Sequence, residues 1–306
     1  MSKTVFIFSG QGAQTVGMGR DLYENSPAAK AIYDEADSVL GWSISDVCFN
    51  GPAEKLTDSI YCQPAIYTTS MACLAAFYEK YPGIKAAATA GLSLGEYAAL
   101  AAASYFSFAD GLKLVSKRGE FMDAACRENP GTMACILGGD PAEIAAACAE
   151  ADIDVANYNC PGQTVISGIH EGVEKACAIL KTKKVKRIVP LTVAGGFHSR
   201  LMKSAGEKFA GVLAEVPVQP LTCPVAQNVI GSLVENESDI KENLVRQVAG
   251  SVQWEACVRD ISAKLDCDTM IEFGPGAVLT GLVRKIDPGK RLFNVSCAAD
   301  LEKLEL

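Results

Sequence analysis

The chain has 306 residues, of which 49% are hydrophobic and only 7% aromatic, a composition typical of a compact α/β protein. Its formal net charge of −8 and its pI near 5.0 argue against a nucleic-acid-binding protein, whose binding surface is basic. No apolar stretch approaches the ~20 residues needed to cross a bilayer, and the N-terminus lacks the features of a signal peptide. We therefore expect a cytoplasmic protein that binds neither nucleic acid nor membrane.

Twelve cysteines are spread between Cys48 and Cys297 without a Cys-x-x-Cys pair, and only two histidines accompany them. This spacing fits neither a disulfide framework nor a metal site. Several cysteines, such as Cys73 and Cys148, lie inside apolar runs, where a free cysteine packs as a small hydrophobic residue. We expect structural thiols and no metal.

Strand-like and helix-like segments alternate in the first part of the chain. The predicted elements are, in order, a strand at 3–8, helices at 26–40 and 64–81, a strand at 85–90 and a helix at 108–126. The first strand ends in the loop SGQGAQ at residues 9–14, and the second ends in the motif GLSLGE at residues 91–96.

The segment 132–193 has the order β-α-β-β-α-β of a ferredoxin-like unit. Its predicted elements are a strand at 133–137, a helix at 141–151, strands at 154–157 and 164–167, a helix at 171–182 and a strand at 187–193. We interpret the segment as a small domain at 129–197, inserted into a larger α/β domain formed by 1–128 and 198–306.

The remaining chain returns to alternating helices and strands. The predicted elements are a helix at 199–215, a strand at 225–229, helices at 239–249 and 254–265, a strand at 269–273, a helix at 277–286 and a strand at 292–295. Alternation with glycine-rich strand ends indicates a mainly parallel sheet covered by helices on both faces. The predicted fold class is therefore α/β, with a hydrolase-like core and an inserted ferredoxin-like small domain.

The motif GLSLGE places Ser93 between two glycines at the spacing of a nucleophile elbow, on a strand-to-helix turn. The turn is tight, so Gly91 and Gly95 are needed where a side chain would clash with the strand or the helix. The N-terminus of the following helix favours negative charge that develops near the serine. The motif alone is weak evidence for a nucleophile in a glycine-rich chain, so the assignment depends on the other candidate residues.

A serine nucleophile needs a base, and the two candidate histidines are His170 and His198. His170 begins a predicted helix among polar residues, which favours a surface or capping role. His198 follows two glycines and Phe197 at the junction of the predicted domains, which indicates a loop shaped for a site. An ordinary histidine at a helix N-terminus remains the alternative for His198.

The loop at residues 9–14 lies at the carboxyl end of a predicted strand, where open α/β sheets bind ligands. The backbone N–H groups of Gln11 and Leu94 would together form an oxyanion hole. The alternative is a phosphate loop or a plain turn. Nucleotide binding is disfavoured because the loop lacks the Lys-Ser/Thr pair of a Walker motif.

Arg118 stands in the middle of a predicted helix and has no carboxylate one turn away. Its neighbours at that spacing are the apolar Leu114, Val115, Phe121 and Met122. A functional arginine here would bind a substrate carboxylate with two hydrogen bonds. The alternative is an arginine that extends past the apolar stripe to solvent or pairs with another element.

Five motifs, in this order and spacing, resemble those of malonyl-CoA:acyl carrier protein transacylases over essentially the full chain. They are FSGQGAQ at 8–14, similar to the family's FPGQGSQ, GLSLGE at 91–96, NCPGQ at 159–163, GFHS at 196–199 and VQW at 252–254. The resemblance also implies the large α/β domain with a ferredoxin-like insert that the patterns predict.

The resemblance assigns a role to each matching residue. Ser93 would be the acylated nucleophile, and His198 its general base and then its acid. Gln253 occupies the position of the residue that orients this histidine through a main-chain carbonyl. Gln11 and Leu94 would supply the N–H groups of the oxyanion hole.

The resemblance also implies a substrate. Arg118 matches the arginine that binds the free malonyl carboxylate, and Phe197 matches the form selective for malonyl, because its ring leaves no room for an α-methyl branch. Leu92 departs from the family, which usually has histidine directly before the serine. That histidine is not the base in the resemblance, so the chemistry should survive, with altered packing at the elbow.

The implied reaction moves malonyl from malonyl-CoA to the phosphopantetheine thiol of acyl carrier protein through a malonyl-serine intermediate, with CoA thioester as substrate and no cofactor. The alternatives are a serine hydrolase or thioesterase, a patatin-like lipase, or a binding protein that kept the fold.

One basic run would attract the acidic carrier protein, or it would be the solvated end of a helix. It consists of Lys181, Lys183, Lys184, Lys186 and Arg187.

Overall fold

The computed structural model describes residues 3–306, which form ten strands and fourteen α-helices. The strands are β1 (Lys3–Phe8), β2 (Ala86–Gly91), β3 (Thr132–Gly138), β4 (Asp154–Cys160), β5 (Gln163–Gly168), β6 (Val185–Pro190), β7 (Val225–Gln227), β8 (Ser232–Leu233), β9 (Cys267–Phe273) and β10 (Arg291–Val295). The helices are α1 (Arg20–Asn25), α2 (Pro27–Leu40), α3 (Ile44–Asn50), α4 (Ala53–Thr57), α5 (Ser59–Lys80), α6 (Gly95–Ala102), α7 (Phe108–Glu128), α8 (Pro141–Glu150), α9 (His170–Lys181), α10 (Lys203–Ala214), α11 (Ile240–Ala249), α12 (Trp254–Lys264), α13 (Val278–Ile286) and α14 (Ala298–Leu301).

Six strands form a central sheet in the order β10-β9-β1-β2-β7-β8, in which all neighbours are parallel except the antiparallel edge strand β8. Successive side chains of β1 point to opposite faces. Phe6 and Phe8 join the apolar cluster that contains α2, α5 and α7, whereas Val5 and Ile7 join the one that contains α12 and α13. The predicted α/β class, with helices on both faces, is confirmed.

The small sheet is antiparallel, with the order β4-β5-β3-β6 of a ferredoxin-like unit, and this part of the predicted fold is also confirmed. Helices α8 and α9 pack on one of its faces through residues such as Ile144 and Val173. Its other face contributes Met133 and Val165 to the core of the larger unit. The final strand β6 begins and ends two to three residues earlier than predicted.

Backbone hydrogen bonds tie the small sheet to the rest of the chain. The N–H of Tyr158 donates to the carbonyl of Val252 at 2.9 Å, and the N–H of Val252 donates to Ala156 at 2.8 Å. The small sheet spans 132–190. The domain boundaries at 129 and 198 stay a prediction, and residues 1 and 2 of the predicted large domain lie outside the described residues.

The turn between β2 and α6 brings three backbone segments into close contact. A Cβ added to Gly95 would lie 2.1 Å from the carbonyl oxygen of Phe8, and one added to Gly91 would lie 2.0 Å from the carbonyl group of Gly95. Ser93 between them has a φ of 53°, which projects its side chain from the top of the turn. Both glycines are therefore required by contact with backbone atoms, which cannot move aside.

Replacing Gly95 with alanine is expected to lower the free energy of unfolding by about 3 kcal/mol or more, because the new methyl group overlaps backbone rather than a flexible side chain. Thermal and urea unfolding of the variant measure the effect. Gly211→Ala on α10 is the matched control, since nothing lies within 4 Å of its added Cβ. Equal stability of the two variants would contradict this account of the elbow.

Across residues 3–306, no helix is long and apolar enough to cross a membrane. In the same residues, no group of three or more His, Cys, Asp or Glu side chains is placed to hold a metal ion. All twelve cysteine thiols are free, and nine of them are buried.

Candidate active site

The hydroxyl of Ser93 lies between two side chains that are distant in sequence. Its Oγ is 2.7 Å from Nε2 of His198, and it accepts a hydrogen bond from Nη2 of Arg118 at 3.0 Å. Ser93 is only 8% exposed, so all three groups meet in a largely desolvated setting. The structure thus brings together three candidate residues from separate segments of the sequence.

His198 is held in one tautomer by backbone carbonyls. Its Nδ1 lies 2.9 Å from the carbonyl oxygen of Gln247 and 3.2 Å from that of Gly250. A carbonyl oxygen only accepts, so we assign the ring proton to Nδ1. The lone pair of Nε2 therefore faces Ser93 Oγ and can take its proton.

The expectation that Gln253 orients the histidine is wrong, because Gln247 and Gly250 supply the carbonyls instead. The preceding residue, Val252, pairs with β4, and this pairing fixes the course of the chain at that point. The N–H of Gln253 donates to the carbonyl of Asn228 at 2.9 Å, and its own carbonyl accepts from α12. The predicted kind of contact is present, with different residues making it.

Burial lowers the pKa of His198 from 6.5 to about 4, and the nearby positive charge of Arg118 acts in the same direction. The two backbone carbonyls act in the opposite direction but are outweighed. The imidazole is therefore neutral at physiological pH, which is the form that accepts a proton from the serine.

Arg118 is 1% exposed, which excludes the alternative of an arginine that extends to solvent. Its guanidinium donates to Oε1 of Gln63 at 2.8 Å and to Oε1 of Gln247 at 3.1 Å, besides Ser93. The ring of Tyr97 lies 5.4 Å from the guanidinium carbon, within cation–π range. Burial lowers the pKa of Arg118, but a guanidinium starts high enough to remain charged.

Asn228 fixes the backbone of the elbow. Its Oδ1 accepts from the N–H of Ser93 at 2.5 Å, and its Nδ2 donates to the carbonyl of Gly91 at 2.8 Å. The carboxylate of Glu96 in turn accepts from the N–H of Asn228 at 2.7 Å. One polar side chain from β7's end therefore holds both sides of the serine turn.

Glu96 and Gln247 complete the polar layer behind the serine. Nε2 of Gln247 donates to the Ser93 carbonyl at 3.0 Å and to Glu96 at 2.9 Å, and Gln227 also donates to Glu96 at 3.0 Å. Burial raises the pKa of the fully buried Glu96 to about 7. Gln247 and Asn228 were not predicted from the sequence, because they contact the elbow from 132 to 154 residues away and lie in no motif of their own.

The two groups expected to form the oxyanion hole lie where β1 and β2 end. In the described part of the chain, neither the N–H of Gln11 nor that of Leu94 donates to a protein acceptor. Gln11 is held through its side chain, whose Nε2 donates to Oγ of Ser59 at 3.4 Å. Both N–H groups therefore lack a protein acceptor in this part of the chain, and their role in an oxyanion hole stays a prediction.

A cavity of about 480 Å³ opens at Ser93 and His198. Its large-unit side includes Gln11, Leu92 and Phe197. The small sheet contributes Met133, Asn157, Asn159, Gln163 and Val165. The cavity thus lies between the two sheets, and it is large enough for an extended chain whose reactive end reaches the serine.

The predictions for three further residues find a place in this geometry. Leu92 lines the cavity and packs against the apolar cluster of α12 and α13, so apolar packing occupies the position before the serine. Phe197 lines the cavity beside His198 and is 6% exposed. His170 is exposed at the start of α9, as expected for a surface residue.

A serine with a neutral histidine base, two N–H groups without a protein acceptor and a buried arginine beside the hydroxyl defines an enzyme that acts on acyl groups through a serine ester. Comparison with known sequences narrows the class. Residues 5–298 match the acyl transferase domain, and the chain belongs to that family.

Three similar proteins carry related names and match this chain over nearly its full length. The malonyl CoA-acyl carrier protein transacylase of Bacillus subtilis is 44% identical over 311 residues, covering 100% of this chain and 96% of its own. The solved acyl carrier protein S-malonyltransferase of Vibrio cholerae is 36% identical, with a TM-score of 0.94 and 99% of each chain covered. A malonyl-transacylase solved in complex with the acyl-carrier protein of a type II polyketide synthase is 35% identical, with a TM-score of 0.94, and covers 99% of this chain and 98% of its own.

Proposed function

We propose that the protein transfers a malonyl group from malonyl-CoA to the phosphopantetheine thiol of an acyl carrier protein. The observation that carries the proposal is the position of Ser93 Oγ, 2.7 Å from the base His198 and 3.0 Å from the cation Arg118. The named activity of the relatives supports the same reaction.

In the first half-reaction, Ser93 Oγ attacks the thioester carbonyl while its proton passes to Nε2 of His198. The carbonyl oxygen becomes an oxyanion that accepts hydrogen bonds from the N–H groups of Gln11 and Leu94. The C–S bond then breaks, and the CoA sulfur leaves with the proton from His198. The product is a malonyl ester of Ser93 and free CoA.

In the second half-reaction, the carrier's phosphopantetheine thiol gives its proton to His198 and attacks the ester carbonyl. The same two N–H groups stabilise the second oxyanion. The C–O bond of the ester breaks, and His198 returns the proton to Ser93 Oγ. CoA thioester is a substrate throughout, and the proposed steps require no cofactor.

Mass spectrometry of the protein after mixing with malonyl-CoA tests the proposal. We expect one malonyl adduct that maps to Ser93, disappears on adding the carrier or another pantetheine thiol, and does not form in Ser93→Ala. Free malonate in place of a malonyl thioester product would instead indicate a hydrolase. No adduct on Ser93 would contradict the proposal.

We also propose that the basic run predicted from the sequence attracts the acidic carrier. Lys181, Lys183, Lys184, Lys186 and Arg187 are all exposed, and the only ion pair among them in the described structure joins Lys183 to Glu143 at 3.7 Å. Strand β6 leads from this run directly to residues 191–194, which line the cavity. One strand therefore joins the run to the residues that line the cavity.

Reversing three of these charges, as Lys183→Glu, Lys184→Glu and Lys186→Glu, is expected to lower the second-order rate of transfer to the carrier about tenfold at low salt. Acylation of Ser93 by malonyl-CoA should keep its rate. Lys203→Glu, an exposed lysine on α10, is the control. An unchanged rate of transfer to the carrier would contradict this role of the basic run.

We further propose that the protein is cytoplasmic, as expected from its sequence.

A further inference from the structure

Arg118 is a buried cation that contacts no carboxylate in the described chain. Its three acceptors are the amide oxygens of Gln63 and Gln247 and the hydroxyl of Ser93. Its Nε–H makes no hydrogen bond of standard geometry within residues 3–306, and the Tyr97 side chain lies beside the guanidinium. A buried charge is normally paired, because desolvation otherwise costs free energy. The guanidinium is therefore held in place while its charge remains without a partner in contact.

The carboxylate nearest to Arg118 in the hydrogen-bond network is that of Glu96, which is linked to the guanidinium through the side chain of Gln247. Glu96 accepts from Nε2 of Gln247 at 2.9 Å, and the same nitrogen donates to the Ser93 carbonyl at 3.0 Å. These two acceptors orient the Gln247 amide, so that its oxygen faces Arg118 at 3.1 Å. If the amide were rotated by 180°, its oxygen would face the two acceptors, Glu96 and the Ser93 carbonyl, and its nitrogen would face the cation of Arg118. Glu96 thus offsets the charge of Arg118 without occupying its N–H groups.

Of the two glutamine side chains that accept a hydrogen bond from Arg118, Gln63 makes fewer other hydrogen bonds. It lies on α5 and is fully buried, and its Oε1 receives the 2.8 Å bond from Nη1 of Arg118. Its Nε2 makes only a 3.5 Å contact with Sδ of Met122. A glutamate of the same length would fit here and would form a charged pair with the arginine.

We propose that Gln63 is a specificity-determining residue: its neutral amide positions Arg118 but leaves the guanidinium charge to be paired by the carboxylate of the acyl group. An acyl group that carries a free carboxylate then completes the ion pair, whereas a neutral acyl group such as acetyl leaves it incomplete. This inference rests on the proposed function, and it adds the reason why the protein itself supplies no counter-ion in contact with Arg118.

The test compares Gln63→Glu with the neutral variant Gln63→Met, which has a similar length. The second-order rates of Ser93 acylation by malonyl-CoA and acetyl-CoA are measured by mass spectrometry. In Gln63→Glu the ratio of malonyl to acetyl rates is expected to fall by ten- to about a hundredfold, because the new carboxylate occupies the guanidinium. In Gln63→Met the ratio should fall far less, since Arg118 loses one acceptor but gains no counter-charge.

An unchanged ratio in Gln63→Glu, or an equal fall in Gln63→Met, would overturn the inference. The failure of the proposed function is distinguishable, because the unmodified protein would then form no malonyl adduct. Thermal unfolding shows whether Gln63→Glu is folded. If it is not, the exchange Glu96→Gln with Gln247→Glu moves a carboxylate into contact with Arg118 at constant net charge. In this double variant the ratio of malonyl to acetyl rates is expected to fall by the same factor, and by more than in Glu96→Gln alone. An equal ratio in the double variant and in Glu96→Gln would overturn the inference.

Discussion

Replacing His198 with alanine is expected to slow acylation of Ser93 by a factor between about 10² and 10⁴. The hydroxyl then has no acceptor for its proton, because the other group in contact with Oγ, Arg118, only donates. Rapid-quench measurement of the malonyl adduct gives the rate. His170→Ala is the matched control, since this exposed histidine is not among the residues that line the cavity.

The pH dependence of the same rate tests the setting of His198. The base must be neutral, so a pKa of about 4 keeps the acylation rate high down to about pH 5 and halves it near pH 4. An ordinary histidine would halve the rate near 6.5. An inflection near pH 7 that disappears in Glu96→Gln would instead report Glu96, whose pKa is raised to about 7 by burial.

The sign of the stability effect follows from the same pKa. The unfolded chain binds a proton at His198 below pH 6.5, whereas the folded chain does so only near pH 4. Stability is therefore full above pH 6.5 and decreases as the pH falls towards 4. Circular dichroism at each pH separates loss of the fold from loss of the base. A half-maximal rate near 6.5 in a folded protein would contradict the buried, neutral histidine.

The sequence predicts those features that depend on local chemistry. The elbow follows from the spacing of two glycines around Ser93, and the strands and long helices follow from apolar periodicity. Short helices such as α1 (Arg20–Asn25) and α4 (Ala53–Thr57) escaped prediction, because five or six residues carry too little periodicity. Helix α5 begins at Ser59 rather than at residue 64, and Pro64 lies inside it.

The polar layer behind the serine could not be predicted in the same way. Whether the carbonyl of Gln247 or that of Gln253 faces His198 depends on where α11 ends and how Val252 pairs with β4. These are contacts between segments far apart in the chain, and both glutamines look alike in sequence. The resemblance supplied the kind of interaction, a carbonyl on Nδ1, while only the fold decides which carbonyl makes it.

Arg118→Ala is expected to lower the preference for malonyl over acetyl thioesters by about a hundredfold or more, because the substrate carboxylate loses its buried partner. Both rates should also decrease, since Nη2 donates to Ser93 Oγ at 3.0 Å, so the ratio of the two rates is the informative quantity. Arg118→Lys keeps the charge but not the paired N–H geometry, and it should give an intermediate ratio.

The same variant alters the base in a predictable direction. The charge of Arg118 contributes to the low pKa of His198, so its removal should raise the pH at which the acylation rate is halved. A rate ratio that falls together with this upward shift locates one cation beside both the nucleophile's base and the substrate carboxylate. Full preference for malonyl in Arg118→Ala would show that selectivity resides in the residues that line the cavity, with Phe197 as the next residue to replace.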